Sequence, residues 1–469
     1  MREVSAGELA VMAGTRLVGD PEVVVGPGVV VDSRLAGPGS LFVALPGEHA
    51  DGHDYAARAV AAGASAVLGT RELPLAVPQL LADDAAAALA VLGTSVVAEA
   101  LGHGLVTIGI TGSSGKTSTK DLVAQVLAGA GETVAPVGSF NNEIGVPLTA
   151  TRVDTSTRFL VSEMGARGQG HISWLCGIVP PRVGVVVNVG HAHLGEFGSV
   201  EAIAQAKGEL VEALPADGWA VFNADDPLVT AMADRTVARP AAVSVEGEPR
   251  WGDLRVWASG VVADGLQRPS FTLHAAGEAA GSAPVRLRVS GTHQVGNALL
   301  AAAVGLTQGL AVPDVAEALG RAEARSHWRM ELHERPDGVL VVNDAYNANP
   351  DSMAAALRTL ASLRRPGGAL VAVLGDMLEL GPTAAERHRE AGALAAGLGV
   401  DRLVAVGAHA ADLAAGFGDP SVTLPDRAGA AAEAARGLGP ADVVLVKASR
   451  GLALESVAEE LSAPEGGRG

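Results

Sequence analysis

Among 469 residues there is a single cysteine, Cys176, so no internal disulfide can form and no cysteine cluster can hold zinc. Aromatic residues make up only 3% of the chain, too few for the stacking platforms that single-stranded nucleic acids require. Lysine and arginine number 34 against 52 acidic residues, a net charge of −18. A field of that sign repels nucleic-acid backbones and anionic lipid, so neither is expected as a partner. Long apolar runs are also missing. None approaches the roughly 20 residues that cross a bilayer. The opening MREVSAGELAVMAG has neither the basic stretch nor the apolar run of a secretory signal. A cytoplasmic chain without membrane insertion is expected. A local anion site stays open, because backbone amides and a few cations can overcome a distant negative field.

What is present is glycine (60 residues) and an apolar fraction of 48%, enough for two or three sizeable cores. Short β-branched runs alternate with alanine-rich stretches of helical length, the pattern of an α/β protein. Three blocks are expected. Residues 1–104 carry strands in VVVDSR, LFVAL and ASAVLG and form a smaller α/β domain. Residues 105–324 open with LVTIGIT and continue through RFLVSEMG, VGVVVNVG and GWAVFNADDP, a central parallel sheet of the P-loop, mononucleotide-binding type. Residues 325–469 carry GVLVVND, GALVAVLGD, DRLVAVG and DVVLVKAS, a Rossmann-like doubly wound sheet. Strand after strand ends in a polar residue: Thr111, Glu163, Asn188, Asp225, Asp344, Asp376, Lys447. Ligands of open parallel sheets bind beyond those ends, which favours a cleft between the second and third blocks.

The stretch GITGSSGKTSTKDLVAQVL places a strand, a glycine loop and a helix in succession. It departs from the common P-loop, which has four residues between its first glycine and Gly-Lys-Thr. Here Ile110 occupies that first position, and only two residues separate Gly112 from Gly115. Thr111, Gly112, Ser113, Ser114, Gly115, Lys116, Thr117 and Ser118 nonetheless assemble what a phosphate needs. Amides and the helix dipole favour an anion, Lys116 reaches terminal phosphates, and the Thr117 hydroxyl suits Mg²⁺.

Other polar residues are ambiguous by themselves. Glu163 ends a buried strand, where a carboxylate requires a partner or a metal. His193, in a glycine-rich loop, reads more readily as a hydrogen-bonded loop residue than as a ligand, and Lys207, in VEAIAQAKGELVEAL, as a solvated helix lysine. Asp344 closes a strand before Tyr346, Asn347, Asn349 and Pro350, an ordinary helix-start signal. Ser33 and Arg34 suit a pyrophosphate or a surface ion pair. Asp51, His53 and Asp54 read as a turn and helix cap rather than a metal site.

With its compressed spacing, TGSSGKTS resembles the loop of the Mur ligase family. SFNNEIGVPLT (with Asn141 and Asn142), SEMGARGQGHI, NVGHAHLGEFGSVEAIAQAKGEL and GTHQVGNALLAAA (with Asn297) match that family in order. The resemblance implies an ATP-dependent, ADP-forming amide ligase with two Mg²⁺ ions. Thr117, Glu163 and His193 would serve as metal ligands, and Lys207 would be carbamylated by CO₂. Lys116, Lys207, His193 and Glu163 would then be the catalytic set. Asn297 would lie near the adenine, and Arg329 and Asp344 would reach the nucleotide from a mobile third domain. DAYNANPDSM and GDMLELG resemble the branch that joins D-alanyl-D-alanine to a UDP-MurNAc-tripeptide, with Ser33, Arg34, Asn141, Asn142, Tyr346, Asn347 and Asn349 on the substrates. The third peptide residue stays open between diaminopimelate and lysine, and a monomer is expected. Trp328 and Ala448 stand where the family pattern has glycine. The alternatives are a tripeptide synthetase, a folylpolyglutamate synthetase-like ligase, or a slow ATP-hydrolysing module. The first would carry an Asp-Asn-Pro-Arg stretch, which is absent, and the second would lack the first block.

Overall fold

The structure is a computed structural model that describes residues 1–47, 50–190 and 194–463. Among the described residues, strands form sheets of five, nine and six members, with one further two-stranded pair. In the five-stranded sheet the strands Val29–Val30, Leu41–Val43, Ala66–Gly69 and Gln79–Leu81 run parallel. Arg16–Val18 closes its edge in the antiparallel sense. The helix Ala85–Leu101 leads out of this layer, its start capped by the Asp84 carboxylate.

The nine-stranded sheet holds the phosphate loop at its centre. Val106–Thr111 lies between Phe159–Glu163 and Val183–Val186, all parallel. Parallel strands must be covered on both faces, which is why these runs are rich in Val, Ile, Leu and Phe. On one face the helices Lys116–Leu127 and Gln294–Thr307 pack together. Their close approach depends on Gly305, where an added Cβ would meet Val126 at 2.7 Å. On the other face lie His171–Ile178 and Val200–Glu212.

The sequence reading assigned no strands between 254 and 286. Here the chain forms an antiparallel meander, Leu254–Ala263, Pro269–Gly277 and Gly281–Arg286, that extends the sheet. Its residues alternate between buried and partly exposed (Leu254, Val256 and Ala258; Phe271, Leu273 and Ala275), because only one face is covered.

The six-stranded sheet is parallel from Leu340–Asn343 through Val443–Lys447, Leu370–Gly375, Arg402–Val406 and Ser421–Leu424. Glu331–Glu334 is added antiparallel at its edge. Helices cover both faces, with separate apolar clusters on each side. The carboxyl ends of this sheet face those of the central sheet, so the polar strand ends of both meet in one cleft.

Candidate active site

The phosphate loop is shaped by two glycines in the left-handed region or at its border. Gly115 has φ 78° and Gly112 has φ 159°. A Cβ on Gly112 would sit 2.8 Å from the Val187 Cβ, and one on Gly115 would sit 2.8 Å from the Asn297 Oδ1. The loop is therefore pressed against the neighbouring strand and against the helix Gln294–Thr307. Its first amides are not all free. Those of Ser113 and Ser114 donate to the Asn188 Oδ1 at 3.0 and 2.9 Å, and the Asn188 Nδ2 donates to the Ser114 Oγ at 3.0 Å. Asn188 thus holds the loop in shape from a strand 75 residues away.

Lys116 folds back and donates to the Gly112 carbonyl at 2.6 Å. Burial lowers its ammonium from the ordinary lysine value, opposed by Glu163 and assisted by Arg329. Lys207 is also buried, and burial pushes it well below the ordinary value, with Lys116 adding repulsion. Burial thus favours the neutral amine, the form that can react with CO₂. Glu163 is fully buried. Its Oε1 accepts from Ser139 Oγ at 2.6 Å and Asn141 Nδ2 at 2.7 Å. Its Oε2 has no hydrogen-bond partner among the described residues. A buried carboxylate oxygen left in that state is costly unless a cation takes it. With the Thr117 hydroxyl on the same cavity wall, the residues present fit Mg²⁺. His193, the other expected ligand, lies outside the described residues.

The third block supplies the opposite wall. Arg329 donates through Nη2 to the Thr117 Oγ1 at 3.1 Å and lies over the Tyr346 ring at 4.2 Å. Asp344 accepts from the Met330 amide at 3.2 Å and from Lys447 Nζ at 2.5 Å, and Lys447 also donates to the Asn347 carbonyl at 3.0 Å. Asn349 caps the helix Pro350–Ser362, and its Nδ2 reaches the Ser113 carbonyl at 3.4 Å. Two connected cavities result. One is lined by Ser114, Ser118, Asn297, His293, Asp344 and Lys447. The other, of about 410 Å³, is lined by Lys116, Thr117, Glu163, Asn142, Tyr346 and Asn347 among others.

Most of the expected site residues line these two cavities; Ser33, Arg34, Thr111, Gly112 and Lys207 do not. Ser33 and Arg34 are on the first block, away from both cavities, and Arg34 is tied to Asp32 at 2.6 Å. That pairing holds the Asp32 carboxyl down at about 2. Thr111 ends its strand beneath the loop, its hydroxyl buried without a partner among the described residues. Asn142 caps the helix Gly145–Ala150 through the Gly145 amide at 2.9 Å. Asp51 and His53 do form the expected turn, with the Asp51 Oδ1 accepting from the His53 amide at 3.0 Å. Asn188 and Lys447 were not singled out as site residues by the sequence reading. Their only sequence signal was a polar residue at the end of an apolar strand.

The family model for the Mur ligase middle domain matches residues 110–305. That for the Mur ligase glutamate ligase domain matches 328–450, and that for the Mur ligase family catalytic domain matches 27–103. A UDP-N-acetylmuramoyl-tripeptide–D-alanyl-D-alanine ligase of Mycobacterium tuberculosis is 49% identical, over 93% of this chain and 92% of that one. The ligase of the same name from Escherichia coli is 34% identical, over 92% and 93%. Among solved structures, a MurF from Acinetobacter baumannii superposes with a TM-score of 0.85 at 29% identity, covering 98% of this chain and 99% of that one. A MurF ligase from Thermotoga maritima in complex with ADP gives 0.76 at 28% identity, covering 93% and 97%. In sequence and in fold along nearly its whole length, the chain belongs to the Mur ligase family.

Proposed function

We propose that this chain joins D-alanyl-D-alanine to a UDP-MurNAc-tripeptide at the expense of ATP, completing the pentapeptide precursor of peptidoglycan. The observation that carries this reading is the shared cavity. It sets Lys116, Thr117 and Glu163 of the phosphate loop region against Arg329, Tyr346 and Asn347 of the third block. A ligase of this kind must hold a nucleotide, a carboxylate and an amine on different surfaces and bring them into one place. The γ-phosphoryl group passes to the terminal carboxylate of the tripeptide, giving an acyl phosphate and ADP. The dipeptide amine then attacks the acyl carbon, the new C–N bond forms, and phosphate leaves with the carboxylate oxygen.

The protein's part is electrostatic and positional. Lys116 and Arg329 carry the charges that face the transferring phosphoryl group. Thr117, Glu163, His193 and Lys207, the last as its carbamate, would hold two Mg²⁺ ions. Bound Mg²⁺ supplies charge neutralisation at the phosphate oxygens. Glu163 is oriented by Ser139 and Asn141, so its second oxygen is aimed before any ligand arrives. Asn297 and His293 line the cavity assigned to the adenosine end. Ser33 and Arg34 would meet the uridine nucleotide, Asn141 and Asn142 the peptide, and Asn347 and Asn349 the acceptor side. The division at 104/105 and 324/325, a monomeric state and a cytoplasmic location belong to the same proposal. In the structure, no helix among the described residues is long and apolar enough to cross a membrane.

The test is phosphate release from ATP with UDP-MurNAc-tripeptide, with and without D-alanyl-D-alanine, reading the nucleotide-linked product by mass. Release that requires the dipeptide, with the corresponding gain in mass, is expected. Release indifferent to any amine acceptor would leave only a nucleotide-hydrolysing module.

A further inference from the structure

Four side chains from three separate segments stack in a row at the seam between the central and third blocks. The Arg450 guanidinium lies 4.3 Å over the Trp328 ring. Trp328 stacks on Tyr346, with ring centroids 6.4 Å apart and an interplanar angle of 26°. Arg329 lies 4.2 Å over the other ring of the pair, Tyr346. The row ends on the phosphate loop, where Arg329 donates to the Thr117 hydroxyl at 3.1 Å.

The backbone under this row is strained. Trp328 has φ 59° and Met330 has φ 54°, so both neighbours of Arg329 are in the left-handed region without being glycine. A residue with a Cβ is disfavoured there, and the conformation persists only where surrounding contacts hold it. Those contacts are present: the Tyr346 amide donates to the Trp328 carbonyl at 3.2 Å, and the Met330 amide to the Asp344 Oδ1 at 3.2 Å. The indole is thus clamped between Arg450 and Tyr346. Arg450, Tyr346 and Arg329 all line the larger cavity, whereas Trp328 does not. Whatever Trp328 does for the reaction, it does through its neighbours.

We propose that Trp328 is a positioning residue for the ligation. Its ring locks the strained linker so that Arg329 is presented to the phosphate loop, and it couples Arg329 to Arg450 on the far side of the same cavity. This rests on the ligase reading above. Trp328→Gly is the informative variant, since glycine accepts the left-handed backbone and removes only the ring. Trp328→Phe keeps an aromatic face for both stacking partners.

Steady-state ligation and ADP binding by calorimetry would be measured on wild type, Trp328→Gly, Trp328→Phe and Arg450→Ala, with thermal midpoints for each. For Trp328→Gly we expect kcat to fall about 10-fold, the scale of a modest loss of positioning. ADP affinity should fall by a similar factor, with the KM for the tripeptide and the midpoint little changed. Trp328→Phe should restore both to within roughly threefold of wild type. The effect of Trp328→Gly should shrink in an Arg450→Ala background, because coupled residues are not additive. A Trp328→Gly protein with unchanged kcat and ADP affinity would overturn the proposal, and so would one that lost only its thermal midpoint. If wild type formed no ligated product, the functional reading would fail. The ADP measurement would still decide the role of Trp328.

Discussion

The first and third blocks are attached to the central one in different ways. One apolar cluster runs without interruption from Leu9, Leu68 and Leu89 of the first block into Leu160, Met164, Ile172 and Leu210 of the second. The helix Ala85–Leu101 is pressed so tightly on Gly145–Ala150 that a Cβ on Gly93 would meet the Pro147 Cα and O at 3.1 Å. The clusters of the third block are its own, apart from Leu266 at their edge. Its links to the phosphate loop are single polar contacts, Arg329 to Thr117 and Asn349 to Ser113. A buried apolar interface resists displacement, whereas isolated polar contacts, these and the buried ones of Ser326 with Asp121 and Lys120, add little apolar burial across the seam. The contrast predicts that the first two blocks move as one body and that the third is the one to move with its ligands.

The largest expected effect separates chemistry from assembly. Lys207, proposed to act at the seam as its carbamate, stands on a helix of the second block, buried and held well below the ordinary lysine value. Lys207→Met should lower ligation by about 10²–10³-fold, the usual result of removing a preorganised electrostatic group. The fold should not suffer. A lysine whose folded pKa is depressed binds fewer protons than in the unfolded chain, so at neutral pH its burial works against stability. Methionine removes that cost, and the thermal midpoint should hold or rise. Activity and midpoint, measured on the same preparation, check both halves. A collapse of the midpoint would mean that the lysine is structural.

Next in size is a wedge in the rigid body. Gly93→Leu must push the helix Ala85–Leu101 against backbone atoms of Pro147, which would have to shift to admit it. Overpacking of this kind costs roughly 1–3 kcal/mol, offset only in part by the ~1 kcal/mol that removing a mid-helix glycine returns. Calorimetry should show the transition of the first two blocks moving down together while that of the third stays in place. Movement of the third with them would show that the seam is a stronger interface than its contacts suggest.

Much of this arrangement was legible in the sequence, and the part that was not has a common cause. The phosphate loop sits in one contiguous stretch whose residue order carries the chemistry, so local reading reached it, whereas Glu163 and Lys207 were ambiguous locally and were singled out only through the family resemblance. Asn188, which occupies two loop amides from 75 residues away, and Lys447, which pairs with Asp344 across 103, depend on strand neighbours that only the sheet order determines. The antiparallel meander was readable from its alternation at Leu254, Val256 and Ala258, but the longer parallel runs around it dominated the pattern. The left-handed backbone at Trp328 leaves no mark in composition at all. Its trace was a tryptophan where the family pattern has glycine.

A third, smaller effect sharpens the comparison through pH. In the third block His388 is fully buried, accepts from the Met377 amide at 2.8 Å through Nε2, and places Nδ1 2.6 Å from the Ala384 carbonyl. The ring is stacked on His409 at 4.4 Å and faced by Asp376 and Asp412. Burial lowers its pKa from the ordinary histidine value. The unfolded chain then takes up a proton that the folded one refuses, so stability is full above about pH 6.5 and falls below it. The slope is at most about 1.4 kcal/mol per pH unit. The transition of the third block should follow that profile, and His388→Gln should flatten it. A profile unchanged by the substitution would assign the pH dependence to other groups.

The smallest expected effect is a null one, and it bears directly on the rigid body. Cys176 is buried in the cluster shared by the first two blocks, 3.8 Å from the Met164 sulfur. Burial, helped by the Glu209 charge, pushes its thiol up to about 12. Labelling by a thiol reagent therefore requires both opening of that cluster and ionisation. If ATP and the tripeptide move only the third block, they should leave the labelling rate unchanged, whereas Gly93→Leu should raise it about tenfold for each 1.4 kcal/mol it takes from the interface. Ligand-dependent labelling of Cys176 in the wild type would show that closure reaches across the shared core. The distinction between a fixed first block and a moving third one would then fail.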